Sequence, residues 1–102
     1  MPRSGLVNLQ QNVPNPFNPQ TTIRFELAEA GPVTLAVFDA QGRRVATLAR
    51  GFYAAGEHAA AWDGRDATGR PVGSGVYLYR LLVQPVSGGQ RQVYIRRMLL
   101  LR

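Results

Sequence analysis

Thr22-Ile-Arg-Phe-Glu-Leu27 sets Ile23, Phe25 and Leu27 on one side of an extended chain and Arg24 and Glu26 on the other. The same two-residue beat returns along the chain. Val33, Leu35 and Val37 alternate inward within Pro32–Phe38, Arg44–Leu48 follows, and Glu57–Trp62 puts His58, Ala60 and Trp62 on a common face. Val76–Val83 reads as the longest strand and Gln92–Leu101 as the last, with Leu6–Leu9 as a short first one. Turn signals separate them: Glu29-Ala-Gly-Pro32, Asp39-Ala-Gln-Gly42, Gly51–Gly56, the polar loop Asp63–Gly69, Gly73-Ser-Gly75 and Pro85–Gly89. No window carries a capped helical stripe of apolar residues. The expected fold is therefore all-β, an antiparallel sandwich of about seven to eight strands in one domain of 102 residues.

Between the first two strands lies Gln11-Asn-Val-Pro-Asn-Pro-Phe-Asn-Pro-Gln20. Pro14, Pro16 and Pro19 have no N–H for a ladder, and each pushes the residue before it toward extended backbone. The segment reads as a stiff connector. Asn12, Asn15 and Asn18 are expected to satisfy their own backbone through Asx turns, and Phe17 to plug the open end of the core at small entropic cost.

Composition narrows the chemistry. Hydrophobic residues make up 45% and charged residues 18%, and the longest apolar run, Met98–Leu101, is far too short to cross a bilayer, so no membrane insertion is expected. Cysteine is absent, which excludes disulfides, thiolate nucleophiles and sulfur metal sites. All twelve basic residues are arginine, so lysine Schiff bases and phosphate-loop lysines are excluded as well. The net charge of +6 arises after residue 66, where Arg70, Arg80, Arg91, Arg96, Arg97 and Arg102 face no acidic residue in sequence. Residues 1–5 read as an added start or linker remnant, and residues 6–102 as the single domain.

Reactive groups do not converge, and the chain is expected not to be an enzyme. His58, the sole histidine, reads as a packed or edge residue, and Ser4, Ser74 and Ser87 lie in no nucleophile context. Asp63 and Asp66 offer oxygens to calcium, but Arg65 and Arg70 beside them favour a loop of Asx turns, so no metal or cofactor is expected. Trp62, Tyr77 and Tyr79 fit core filling with a tyrosine-corner-like hydrogen bond better than a sugar-stacking platform. Asn15-Pro-Phe17 mimics a short peptide ligand, but it is held inside a longer rigid connector. Nucleic-acid binding has only the charge in its favour and is not expected.

Six blocks in order carry a family resemblance: Leu9–Phe25, Val37-Phe-Asp-Ala-Gln-Gly-Arg-Arg-Val45, Ala55-Gly-Glu-His58, Trp62-Asp-Gly-Arg-Asp66, Gly73-Ser-Gly-Val-Tyr-Leu-Tyr-Arg-Leu81 and Arg97–Arg102. Together they resemble the C-terminal sorting domains of proteins exported by the type IX secretion system, and the immunoglobulin-like domain of flagellar hook-capping proteins. The resemblance implies an immunoglobulin-like or fibronectin-III-like sandwich and a non-catalytic sorting and cell-surface attachment module. Its implied partners are the outer-membrane translocon, the attachment machinery and an N-terminal cargo domain, met in the periplasm and then at the surface by a monomer. It places translocon recognition on Arg96, Arg97, Met98, Leu99, Leu100, Leu101 and Arg102. Structural motif positions fall on Asn15, Pro16, Phe17, Asn18, Pro19, Trp62, Asp63, Gly64, Gly75 and Tyr77. Arg97 stands where the family usually has lysine, and Ala60 replaces a commonly larger residue. A carbohydrate-binding module of a secreted enzyme and an assembly domain of the hook-capping type are the alternatives.

Overall fold

The computed structural model describes residues 7–102; residues 1–5 and Leu6, at the expected start of the first strand, lie outside them. Seven strands follow in order: β1 (Val7–Leu9), β2 (Thr21–Leu27), β3 (Gly31–Asp39), β4 (Arg44–Tyr53), β5 (Gly56–Trp62), β6 (Gly75–Val83) and β7 (Gln92–Leu100). They form two antiparallel sheets, one of three strands in the order β1-β2-β5 and one of four in the order β4-β3-β6-β7. The chain changes sheet between β2 and β3, between β4 and β5, and between β5 and β6. This is an immunoglobulin-like sandwich, and its strand count falls within the expected range.

The expected inward residues meet between the sheets. Ile23, Phe25, Leu27, Val33, Leu35, Val37, Tyr79 and Leu81 are buried, with Trp62 and Tyr77 beside them. Phe17 joins them from the connector, its ring 5.7 Å from Trp62, and Tyr77 meets Trp62 edge-on at 5.3 Å. Full burial of such a ring stabilises by roughly 1.5–3 kcal/mol, so this aromatic trio anchors one end of the core. Ala60, opposite Ile23 in the ladder, is half-buried against the same core.

One element differs from expectation. Strand β4 does not end at Leu48 but continues through Gly51 to Tyr53, where Val33, Pro32 and Gly31 pair with Gly51, Phe52 and Tyr53. Two bulges mask it in the sequence: Leu35 and Ala36 pair with Ala49 and Thr47, skipping Leu48, and Val37 and Phe38 pair with Ala46 and Arg44, skipping Val45. Each extra residue reverses the inward set, so the small Ala46 and Ala49 enter the core and no plain alternation survives.

Candidate functional interface: the last strand and its tail

Strand β7 is the outer strand of the four-stranded sheet, paired to β6 on one side only. In an antiparallel ladder both backbone polar groups of a residue point the same way, and successive residues alternate. Leu99 points outward, because its N–H donates to Asn15 Oδ1 (3.0 Å) and its carbonyl accepts from the Phe17 N–H (3.0 Å). The Leu101 N–H in turn donates to the Phe17 carbonyl at 2.9 Å, giving a parallel bridge between Phe17 and Leu100. Gln11 Nε2 donates to the Arg97 carbonyl at 2.7 Å. The connector therefore covers the C-terminal half of this edge. By the same alternation Val93 and Ile95 point outward, and their backbone groups find no partner among the described residues.

The connector is anchored by a buried polar cluster. Tyr79 Oη donates to the Gln10 carbonyl (2.7 Å) and accepts from the Asn12 N–H (2.9 Å). Asn12 Nδ2 donates to the Pro14 carbonyl and to Thr21 Oγ1, each at 3.1 Å. Burial raises the Tyr79 hydroxyl pKa above its ordinary value, so it stays a donor. The Asx expectation is thus corrected: Asn12 bonds locally but as a donor to the Pro14 carbonyl, since Pro14 has no N–H to give it, Asn15 spends its side-chain oxygen on Leu99 across the molecule, and the Asn18 side chain makes no hydrogen bond among the described residues. Pro16, Asn18 and Pro19 are exposed along the connector.

The tail residues take different positions. Met98 and Leu100 are buried in the core, Leu99 is half-buried, and Leu101 is 49% exposed. Arg96 spans the two sheets, its Nε donating to the Leu9 carbonyl at 2.6 Å. Arg102 folds back onto the loops: its N–H donates to Ser74 Oγ at 2.8 Å, and its guanidinium to the carbonyls of Val72 and Gly64 at 2.5 Å each. Gly64 is required there, since it has φ +75° and an added Cβ would lie 2.8 Å from Arg102 Nη2 and 3.1 Å from the Pro19 carbonyl oxygen. The Arg97 side chain makes no hydrogen bond or ion pair among the described residues, which leaves it as the tail's free cation. An open groove of about 520 Å³ runs along this edge, lined by Gln11, Asn15, Val76, Ile95, Arg97 and Leu99 among others.

The remaining candidates are used by the fold. Asp66 Oδ1 accepts from the N–H and hydroxyl of Thr68 and the N–H of Arg70, which together hold its carboxyl below the ordinary carboxylate range. Asp63 accepts from the Arg65 N–H at 3.2 Å. Trp62 is buried with its Nε1–H on the Arg65 carbonyl (2.9 Å), and Tyr77 Oη donates to the Gly73 carbonyl (2.7 Å), the tyrosine-corner-like bond expected near Gly75. Trp62, Tyr77 and Tyr79 being buried, they form no solvent-open sugar platform. His58 Nε2 lies 2.7 Å from the Ala54 carbonyl and must donate to it, while the ring packs against Phe25 and Tyr53. Gln11 and the Tyr79 bridge escape sequence reading because each links segments far apart in the chain, and Thr21 because its hydroxyl closes the connector on Asn12 and Pro14 without any motif that marks it.

Comparisons place this geometry. Dimeric latent PorU from Porphyromonas gingivalis matches with a TM-score of 0.76 at 22% identity, over 94% of this chain but 9% of that one. FlgD from Xanthomonas campestris, described for hook capping in flagellar assembly, matches at 0.64 with 24% identity over 92% of this chain and 67% of its own. PorZ of P. gingivalis, a surface component of its type IX secretion system, matches at 0.58 with 25% identity over 93% of this chain and 12% of that one. The chain thus spans about a tenth of the PorU and PorZ chains. Sequence comparison with curated proteins finds no significant match. The family model of the FlgD Ig-like domain covers residues 12–84, from the connector through β6, and β7 with its tail follows it. With that span matched and the sandwich formed, the chain belongs to the FlgD Ig-like domain family.

Proposed function

We propose that this domain is a non-catalytic sorting and surface-attachment module, carried by a larger cargo and recognised by the type IX translocon through β7. The observation that carries this reading is the uneven edge of β7: a locked tail, then backbone at Val93 and Ile95 that is unpaired among the described residues, beside Arg97, whose side chain has no partner among them. An incoming strand pairs there by β-augmentation, and Arg97 supplies charge complementarity. Arg96 and Arg102 hold the strand in place, and Met98–Leu100 root it in the core. The fold likeness to PorU and PorZ is consistent with this role, which would be exercised in the periplasm and then at the cell surface.

The test fuses the domain to a neutral reporter in a type IX host. Secretion of the fusion, its absence without the domain and its loss on Arg97→Glu in a folded protein support the reading. A fusion that stays in the periplasm contradicts it. A second reading, an assembly domain of the hook-capping type, is favoured by the family match itself and gives docking to a partner without export.

A further inference from the structure

The four-stranded sheet has a second surface, turned away from the core and covered by no other layer among the described residues. Register puts Phe38 beside Leu78 and Arg44, Ala36 beside Arg80, and Arg80 beside Ile95 on that side. Leu78 and Leu82 are half-buried there, while Val93 and Ile95 are 50% and 57% exposed. Apolar side chains gathered and exposed on one open sheet face favour contact with a partner.

Its charge is of one sign. Arg44, Arg50, Arg80 and Arg97 fall on this face in the pairing register, and no Asp or Glu does. Two guanidiniums gather on one ring: Arg80 Cζ lies 4.6 Å and Arg44 Cζ 5.6 Å from the Phe38 centroid. Arg80 Nε is shielded from water and has no acceptor among the described residues. Asp39, at the end of the same strand, is committed to Arg43 at 2.8 Å. Like charges held over one ring, with a buried donor unpaired, lack a carboxylate.

We infer that this face docks a protein segment in which carboxylates alternate with apolar side chains, a carboxylate seating on Arg44 and Arg80 and the apolar groups on Leu78, Leu82 and Ile95. Charge complementarity selects the acidic groups, and the apolar floor selects a protein segment over a free anion. This stands apart from the export reading, because its centre lies on β3, β4 and β6.

The probe is a ten-residue synthetic peptide alternating Glu with Val or Leu, titrated into the 15N-labelled domain, with a Gln-for-Glu peptide as control. Saturable amide shifts centred on Phe38, Leu78, Arg80 and Leu82 are expected, with binding at least about tenfold weaker for the Gln peptide. Arg80→Gln should reduce affinity by about tenfold, and Arg44→Gln, on a more exposed strand, serves if Arg80→Gln does not fold. Equal binding of the two peptides, shifts confined to the β7 edge, absence of binding at millimolar peptide, or sedimentation showing that copies of the domain cover this face themselves would each overturn the inference.

Discussion

Phe17 and Leu100 form a parallel bridge, with the backbone of Phe17 donating to the Leu99 carbonyl and accepting from the Leu101 N–H while its ring is buried against Trp62. One connector residue thus serves both the core and the tail. Phe17→Ala is expected to cost about 3–5 kcal/mol in urea unfolding, and amide exchange at Leu101 should accelerate more than at Leu81 in the central strand. Equal acceleration at both would show that ring and tail are not coupled in this way.

Gly64 and Arg102 make the second clasp. Gly64→Ala meets both the Arg102 guanidinium and the Pro19 carbonyl, and its left-handed backbone alone costs about 1–2 kcal/mol for a residue with a Cβ. Arg102→Ala removes the partner but keeps the glycine, so it should cost less. A thermal melt of the two variants checks the order.

Removing the Tyr79 hydroxyl strands the buried Asn12 N–H and leaves the partly buried Gln10 carbonyl without its donor. Tyr79→Phe should therefore destabilise by about 1–3 kcal/mol without changing core volume. Chemical denaturation with an unchanged m-value would confirm that the loss is of stability and not of compactness.

Acid should loosen two loops. Asp39, bonded by the Arg43 N–H, and Asp66, bonded by Thr68, both titrate below the ordinary value of 3.8. A carboxylate with a depressed folded-state pKa contributes stability that is present above 3.8 and is lost as pH falls through its lower folded value. Stability measured from pH 6 downward should thus hold until about pH 4 and then fall, and Asp66→Asn should shrink the fall.

The legibility of the fold follows from the range of its contacts. Strands β2, β5 and β6 bury one face in a two-residue period, and β3 does so apart from Ala36, which is buried as well, so Ile23, Leu35, Trp62 and Tyr79 are readable from sequence. Bulges at Leu48 and Val45 hid the length of β4. The residue types of the tail were visible, but their division of labour was not. Arg96, Arg97 and Arg102 are alike as letters, yet only their distant acceptors, Leu9 and Gly64, separate two clasps from one free charge. Asn15 is hidden for the same reason, its acceptor role being local in expectation and remote in the fold.

The half-covered edge of β7 is tested most directly by amide hydrogen exchange along that strand. Leu99 and Leu101, held by Asn15 and Phe17, should exchange slowly, whereas Val93 and Ile95, with no backbone partner on their outer side among the described residues, should exchange at least about a hundredfold faster. Uniform exchange along the strand, or fast exchange at Leu99 and Leu101, would contradict a tail locked by the connector with an open edge above it.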